Sequence, residues 1–217
     1  MKLFFLGFII FFSGCVSQSY FRSANDISKE NVVLYLRDKP GIPGILTIPF
    51  EDNFDKNLDH HPWLTFIPEG KNEEERIDVD DVIGYSLDKN YYALKKVDLF
   101  VNNQYHLLFV KRITGEDSKI QLYELYESGK GNVTGETEYS YFISLSTSLQ
   151  NETINTKSIN LVPDFDFKMS ELVSDCPSLA EKILKRQNGY FIPLHSFKTF
   201  KHRDVMLLII NEYNQCK

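Results

Sequence analysis

Asp59, His60 and His61 stand side by side in "LDHHP", and a carboxylate with two imidazoles is a donor set that suits zinc. Adjacent residues on an extended chain point to opposite sides. A metal centre would therefore need His106, His195 or His202 as well, and none of these stands at a recognised ligand spacing. A polar loop is the competing reading. Cys176 could serve as a thiol nucleophile with His195 or His202 as its base, but Pro177 beside it and a second cysteine at Cys216 favour a structural bridge. Ser178, followed by Glu181 and Lys182, reads as the capped first turn of an amphipathic helix. The acidic run "EEERIDVDD", Glu73 to Asp81, could attract calcium, yet it lacks the glycine-centred spacing of an EF-hand and reads as a charged hairpin. No Gly-x-Ser-x-Gly elbow or phosphate loop is present; "SGKGNVTG" lacks the Gly-Lys-Ser/Thr ending. What remains is aromatic. Tyr91, Tyr92, Tyr105, Tyr123, Tyr126, Tyr139 and Tyr141 could offer stacking faces to sugars or peptides, or could pack a core.

Composition narrows the partners. The 217 residues carry a net charge of -6, which argues against nucleic acid, because phosphate binding needs a basic surface. Apolar residues make up 42% of the chain, enough for a packed core. Seventeen Phe and twelve Tyr favour strands, whose half-buried faces aromatic rings fill well.

The N-terminus points to export. A single charge at Lys2 precedes an apolar run from Leu3 to Phe12, then Ser13, Gly14 and Cys15. This is the layout of a cleaved signal, and the run is about half of the roughly 20 residues a spanning helix needs. "FFSGC" resembles a bacterial lipobox, with Phe12 where that family usually carries an aliphatic residue. The resemblance implies cleavage after residue 14 and acylation at Cys15, hence membrane attachment without a span. Val16 after the cysteine implies release to the outer membrane, and the absence of an acidic residue before Asp26 favours a periplasm-facing anchor. With Cys15 acylated, Cys176 and Cys216 are left to pair in an oxidising compartment.

Stepping along the mature chain, residues 15-30 read as a polar tether and residues 31-162 as antiparallel strands. "VVLYLR" is the first strand, and "GILTIPF" is placed on an edge by Pro49. "WLTFIP" and "IDVDDVIGYSL" follow, the latter bending near Gly84; then come "NYYALKKVDLFV", "QYHLLFVKRIT", "SKIQLYELYE" and "EYSYFISLST". In the last, Tyr139, Tyr141, Ile143 and Leu145 alternate with serines in a half-buried pattern that Phe142 interrupts. Residues 163-217 turn helical. Phe165, Met169, Leu172, Val173 and Cys176 share one face; Pro177 opens a helix that Gly189 stops; and Val205, Leu208, Ile209, Tyr213 and Cys216 share a face of the last helix.

The expected fold is α+β, an antiparallel β-meander followed by two or three C-terminal α-helices packed on it as one domain. "SELVSDCPSLAEKILK", "VMLLIINEYNQC" and the strands "IDVDDVIGYSLDKNYYALKKV" and "FVKRITGEDSKIQLYE" resemble small secreted proteins of unknown function from Bacteroidetes-type bacteria, which implies a compartment and a fold type but no activity. The expected function is non-catalytic binding at the envelope, without a cofactor, toward an envelope protein or glycan. The alternatives are a metal-dependent envelope hydrolase built on Asp59, His60 and His61, and a structural subunit of an envelope assembly.

Overall fold

The computed structural model describes residues 27–49, 58, 63–98, 105–127, 138–145, 153–157, 161–193 and 199–216. Cys15 and the Asp59, His60, His61 group lie outside them, as do His195 and the asparagine turn at 102–103. The described chain is α+β: one ten-stranded antiparallel sheet followed by three α-helices.

The strands are β1 (Ile27–Leu36), β2 (Ile42–Ile48), β3 (Trp63–Pro68), β4 (Glu75–Asp78), β5 (Val82–Leu87), β6 (Asn90–Asp98), β7 (Tyr105–Arg112), β8 (Ile120–Glu127), β9 (Glu138–Leu145) and β10 (Ile154–Asn155). Their order across the sheet is β10-β9-β8-β7-β6-β5-β1-β2-β3-β4. β4 is thus the far edge, yet only a 3-10 turn, Val79–Asp81, joins it to β5 on the other side of β1. Five strands can satisfy that short connection only by curling. The Arg37 N–H closes the curl on the Asp81 carbonyl at 2.8 Å, and Asp78 caps the turn by accepting from the Asp80 N–H at 2.9 Å. Leu34, Leu46, Leu64 and Phe66 fill the interior.

A second curl follows, toward the opposite face. β6 pairs with β5 only through Asn90 to Ala93, which leaves the edge of its second half open. The β10 segment returns to that edge: the Thr153 N–H donates to the Lys96 carbonyl at 3.0 Å and Asn155 Nδ2 to the Asp98 carbonyl at 2.8 Å. Ala93, Val97, Leu108, Val110, Tyr123 and Phe142 pack inside. Phe142, which breaks a one-faced pattern in the sequence, is 0% exposed and sits at this centre. Both faces of β9 are buried, so the Ser140, Phe142, Ser144 face is a core face.

Three further expectations are corrected. The segment holding Ile45 and Thr47 is an interior strand between β1 and β3, because Pro49 lies past the ladder and its missing N–H costs no rung. "IDVDDVIGYSL" breaks at Val79–Asp81 and does not end at Gly84, beside which the ladder with β1 only shifts register, between Tyr35↔Gly84 and Leu36↔Val82. β1 begins at Ile27, inside the segment read as tether. It gains its first residues through a bulge between Lys29 and Val32, where Asn31 takes φ 55°, a left-handed conformation Asn tolerates. The extra residue switches the inward parity. Val32 and Leu34 face the core on one side of the bulge, Ile27 and Lys29 on the other.

The helices are α1 (Phe165–Leu172), α2 (Pro177–Leu184) and α3 (Thr199–Gln215), and none described is long and apolar enough to cross a membrane. They cover the outer face of β8 and β9, where Ile120, Leu122, Tyr141 and Ile143 meet Phe165, Met169, Leu179, Ile183, Met206 and Ile210. α2 opens on Pro177 as expected, but it ends at Leu184, with Arg186 in the left-handed region (φ 52°) and Gly189 three residues later. In α3 the buried face is Met206, Ile209, Ile210 and Tyr213, while Leu208 points outward at 40% exposure, so the stripe is rotated from the expected one. Cys176, just before α2, is bonded to Cys216, just after α3, with Cα atoms 5.9 Å apart. Asn214 fastens the same end to the sheet, accepting from the Lys119 N–H and donating to Ser118 Oγ, both at 2.9 Å.

Phe142→Ala is expected to cost about 3–5 kcal/mol in urea denaturation, the range for emptying a large aromatic site; a loss under 1 kcal/mol would contradict the second curl. Replacing Cys176 and Cys216 together by Ser is expected to remove about 4 kcal/mol by the loop-closure model for a 40-residue separation, read as a lower denaturation midpoint than that of the oxidised protein.

Candidate aromatic cleft

The two curls turn to opposite faces, and between them the sheet forks. β7 and β8 share only the rungs Lys111↔Glu124 and Arg112↔Tyr123, although β7 starts at Tyr105 and β8 runs to Glu127. The closed end is held by its turn: Gln121 Oε1 accepts from Thr114 Oγ1 at 2.8 Å, and Gln121 Nε2 lies within 3.1 Å of the Gly115, Glu116 and Ser118 carbonyls. Beyond the rungs, β7 gives its outer edge to another part of the chain, for the Leu58 N–H donates to the Leu107 carbonyl at 2.9 Å. Leu58, from a stretch that reads as a polar loop, is 1% exposed in the first core.

A cleft of about 330 Å³ opens in the fork. On one wall Tyr85 of β5 and Tyr92 of β6 are cross-strand partners with rings stacked at 4.8 Å, and Phe109 of β7 meets Tyr85 edge-on at 4.9 Å. On the other wall Tyr126 of β8 and Tyr139 of β9 are partners whose rings meet edge-on at 5.7 Å. Ile27 and Lys29, turned inward by the bulge, close the side together with Ile48. Lys111 and Glu124 lie at the closed end. Tyr126 is 53% exposed.

Burial pushes the Tyr85 hydroxyl far above the usual tyrosine value, with Tyr92 adding to it; Tyr92 itself is raised by burial and then by Asp88 and Glu124. Both are neutral near pH 7. They can stack and exchange hydrogen bonds, and they are poor bases. Tyr141, beneath the helices, is pushed up to about 12 by burial and by Glu124.

The seven tyrosines singled out by sequence are sorted by the fold. Tyr92, Tyr126 and Tyr139 reach the cleft. Tyr91 lies under the Arg112 guanidinium at 4.5 Å and against Tyr35 at 5.6 Å; Tyr123 is inside the second curl with Lys95 Nζ at 5.7 Å. Tyr105 is an exposed strand end, and Tyr141 packs under the helices. Tyr85 and Phe109 were missed. Tyr85 was within reach, since Asp88 and Lys89 form a two-residue turn that pairs Leu87 with Asn90 and therefore Tyr85 with Tyr92.

Of the other candidates, Cys176 is committed to its disulfide and is no nucleophile. His106 is buried on β7, and His202 is buried on α3. In the acidic run, Asp78 serves as a cap and Glu75 pairs with Lys71 at 2.7 Å. Among the described residues no group of three or more His, Cys, Asp or Glu side chains is placed to hold a metal. Compared with known proteins, the chain matches no family model, no curated protein and no solved structure.

Alkaline titration checks the burial of these rings. The folded values lie above the ordinary value near 10, so their contribution to stability is complete below pH 10 and is lost as pH rises toward 12. Absorbance at the phenolate band is expected to show Tyr91, Tyr141 and Tyr213 ionising near pH 12, with the melting temperature falling over the same interval. Ionisation of all twelve tyrosines near pH 10 would contradict this packing.

Proposed function

We propose that this chain is a lipid-anchored cell-envelope protein that acts by binding, not by catalysis, attached at Cys15 to the outer membrane on its periplasmic side. Its partner occupies the cleft between the Tyr85, Tyr92, Phe109 wall and the Tyr126, Tyr139 wall. The observation that carries the reading is this cleft: its volume of about 330 Å³ falls in the range of ligand sites, and Tyr85 and Tyr92 are shifted away from ionisation near neutral pH, opposite to what acid–base catalysis requires.

Two features support the location. The Cys176–Cys216 bond suits an oxidising compartment and leaves Cys15 as the remaining cysteine of three. The chain from Cys15 enters the fold at Ile27, on the cleft wall. Twelve residues of fully extended chain reach at most ~40 Å, so an acylated Cys15 would hold the cleft within that distance of the bilayer surface.

Mass spectrometry of the protein isolated from its native membranes is expected to give an acylated N-terminal peptide beginning at Cys15. An intact Met1 would overturn the anchor. Stoichiometric zinc in the purified protein, lost in His60→Ala/His61→Ala, would overturn the non-catalytic reading in favour of a hydrolase using Asp59, His60 and His61.

A further inference from the structure

Resting on the cleft as the binding site, we infer that the Cys176–Cys216 bond is a redox-sensitive latch on the closed end of the fork, whose oxidation state sets how well the cleft binds. Tyr213, Asn214 and Cys216 form the tip of α3, and that tip is held on two sides. On one side are the disulfide to Cys176 and the Tyr213 hydroxyl, which donates to Asp175 at 2.7 Å. On the other is the turn between β7 and β8. Asn214 Oδ1 accepts from the Lys119 N–H and Asn214 Nδ2 donates to Ser118 Oγ, both at 2.9 Å. Lys119 Nζ donates to the Cys216 carbonyl at 3.0 Å and lies 4.5 Å over the Tyr213 ring.

From Ser118 a chain of hydrogen bonds runs to the cleft. Ser118 Oγ donates to the Ile120 carbonyl at 2.8 Å, and the Ser118 carbonyl accepts from Gln121 Nε2 at 3.1 Å. Gln121 Oε1 accepts from Thr114 Oγ1 at 2.8 Å, Thr114 Oγ1 accepts from the Leu122 N–H at 3.1 Å, and the Ile113 N–H donates to the Leu122 carbonyl at 2.8 Å. The next rungs are Arg112↔Tyr123 and Lys111↔Glu124, and Lys111 and Glu124 line the cleft. Ser118 and Gln121 are buried, where hydrogen bonds are electrostatically stronger than in water. A shift of the α3 tip therefore displaces Asn214 from Ser118 and Lys119 and reaches the two rungs that close the fork.

Reduction supplies such a shift. Cys176 is 2% exposed and Cys216 is half-buried, so the sulfur open to attack is that of Cys216. A thiolate of a dithiol oxidoreductase attacks the Cys216 sulfur, the S–S bond breaks, and Cys176 leaves as a thiolate that takes up a proton. The second thiol of the partner then displaces Cys216, which is protonated in turn, and the partner is left as its disulfide. The α2 side of the tip is then held by noncovalent contacts such as the Tyr213–Asp175 hydrogen bond.

The test uses the full mature chain, oxidised or reduced with dithiothreitol, at a temperature where circular dichroism shows both forms folded. Backbone amide NMR shifts are expected to change on reduction from Lys119 through Gln121 and Leu122 to Lys111 and Glu124, and to stay in place in β1, β2 and β3. Asn214→Ala, which cuts the chain of bonds and leaves the disulfide intact, is expected to move the same residues, and it carries the test if reduction unfolds the protein. Para-fluorophenol, followed by fluorine NMR, is the probe of the cleft; its affinity is expected to fall several-fold on reduction and in Asn214→Ala. A thioredoxin-class protein with a Cys-x-x-Ser site is expected to be trapped as a mixed disulfide on Cys216, and absence of that trap overturns the redox step. Shift changes that stop at Ser118 and Lys119 overturn the latch, whether or not fluorophenol binds. Fluorophenol that does not bind the oxidised protein, or binds Tyr126→Ala/Tyr139→Ala equally well, overturns the cleft reading and the regulation with it, while the shifts still show whether the two ends are coupled.

Discussion

Strand β6 belongs to both halves of the sheet, and the rest of the structure depends on that sharing. A backbone edge can be bonded only once. The first half of β6 gives one edge to β5 and the second half gives the same edge to the β10 segment at Lys96 and Asp98. The sheet must therefore leave β5 and curl away. Tyr92 and Leu94 are turned toward the first core, and Ala93 and Val97 toward the second. One strand with alternating faces thus serves two interiors.

The fork is a consequence of the same allocation. β8 and β9 pair along their whole length and carry the helices on their outer face, so they move as a unit with the second curl. β7 stays with β6 through seven rungs and gives its outer edge to Leu58. β7 and β8 share only the rungs Lys111↔Glu124 and Arg112↔Tyr123, next to the turn that the Thr114–Gln121 bond holds. The aromatic rings then line an opening because the sheet separates beneath them, and the bulge at Asn31 adds Ile27 and Lys29 to its rim.

α2 is fastened at both of its ends to the C-terminal part of α3. The Cys176–Cys216 bond joins the start of α2 to the end of α3, and Tyr213 donates to Asp175 at 2.7 Å beside it. At the far side Glu212 accepts from Lys182 at 2.6 Å and from Tyr190 at 2.5 Å. Burial would raise the Glu212 carboxyl, yet these two donors outweigh it and hold it below its ordinary value. The layer packs on β8 and β9 from outside, beside the Tyr126, Tyr139 wall of the fork.

The sequence by itself determined the element types: eight period-two runs marked nine of the ten strands, one run being divided in two by the 3-10 turn, and spacings of three and four with Pro177 marked the helices. Counting cysteines determined the Cys176–Cys216 pair. Only the tertiary structure decided which faces are interior. The alternation at Tyr139 to Leu145 tells that two faces exist, but Phe142 becomes a core residue because β10 returns to β6, and the two-residue β10 carries no periodicity to announce it. Likewise Tyr85, Phe109 and Tyr126 come to line one cleft through strand register, a bulge and a fork. Local pattern fixes the parity of a side chain along its own strand; the distance between strands that do not pair is set by what each bonds on its other edge.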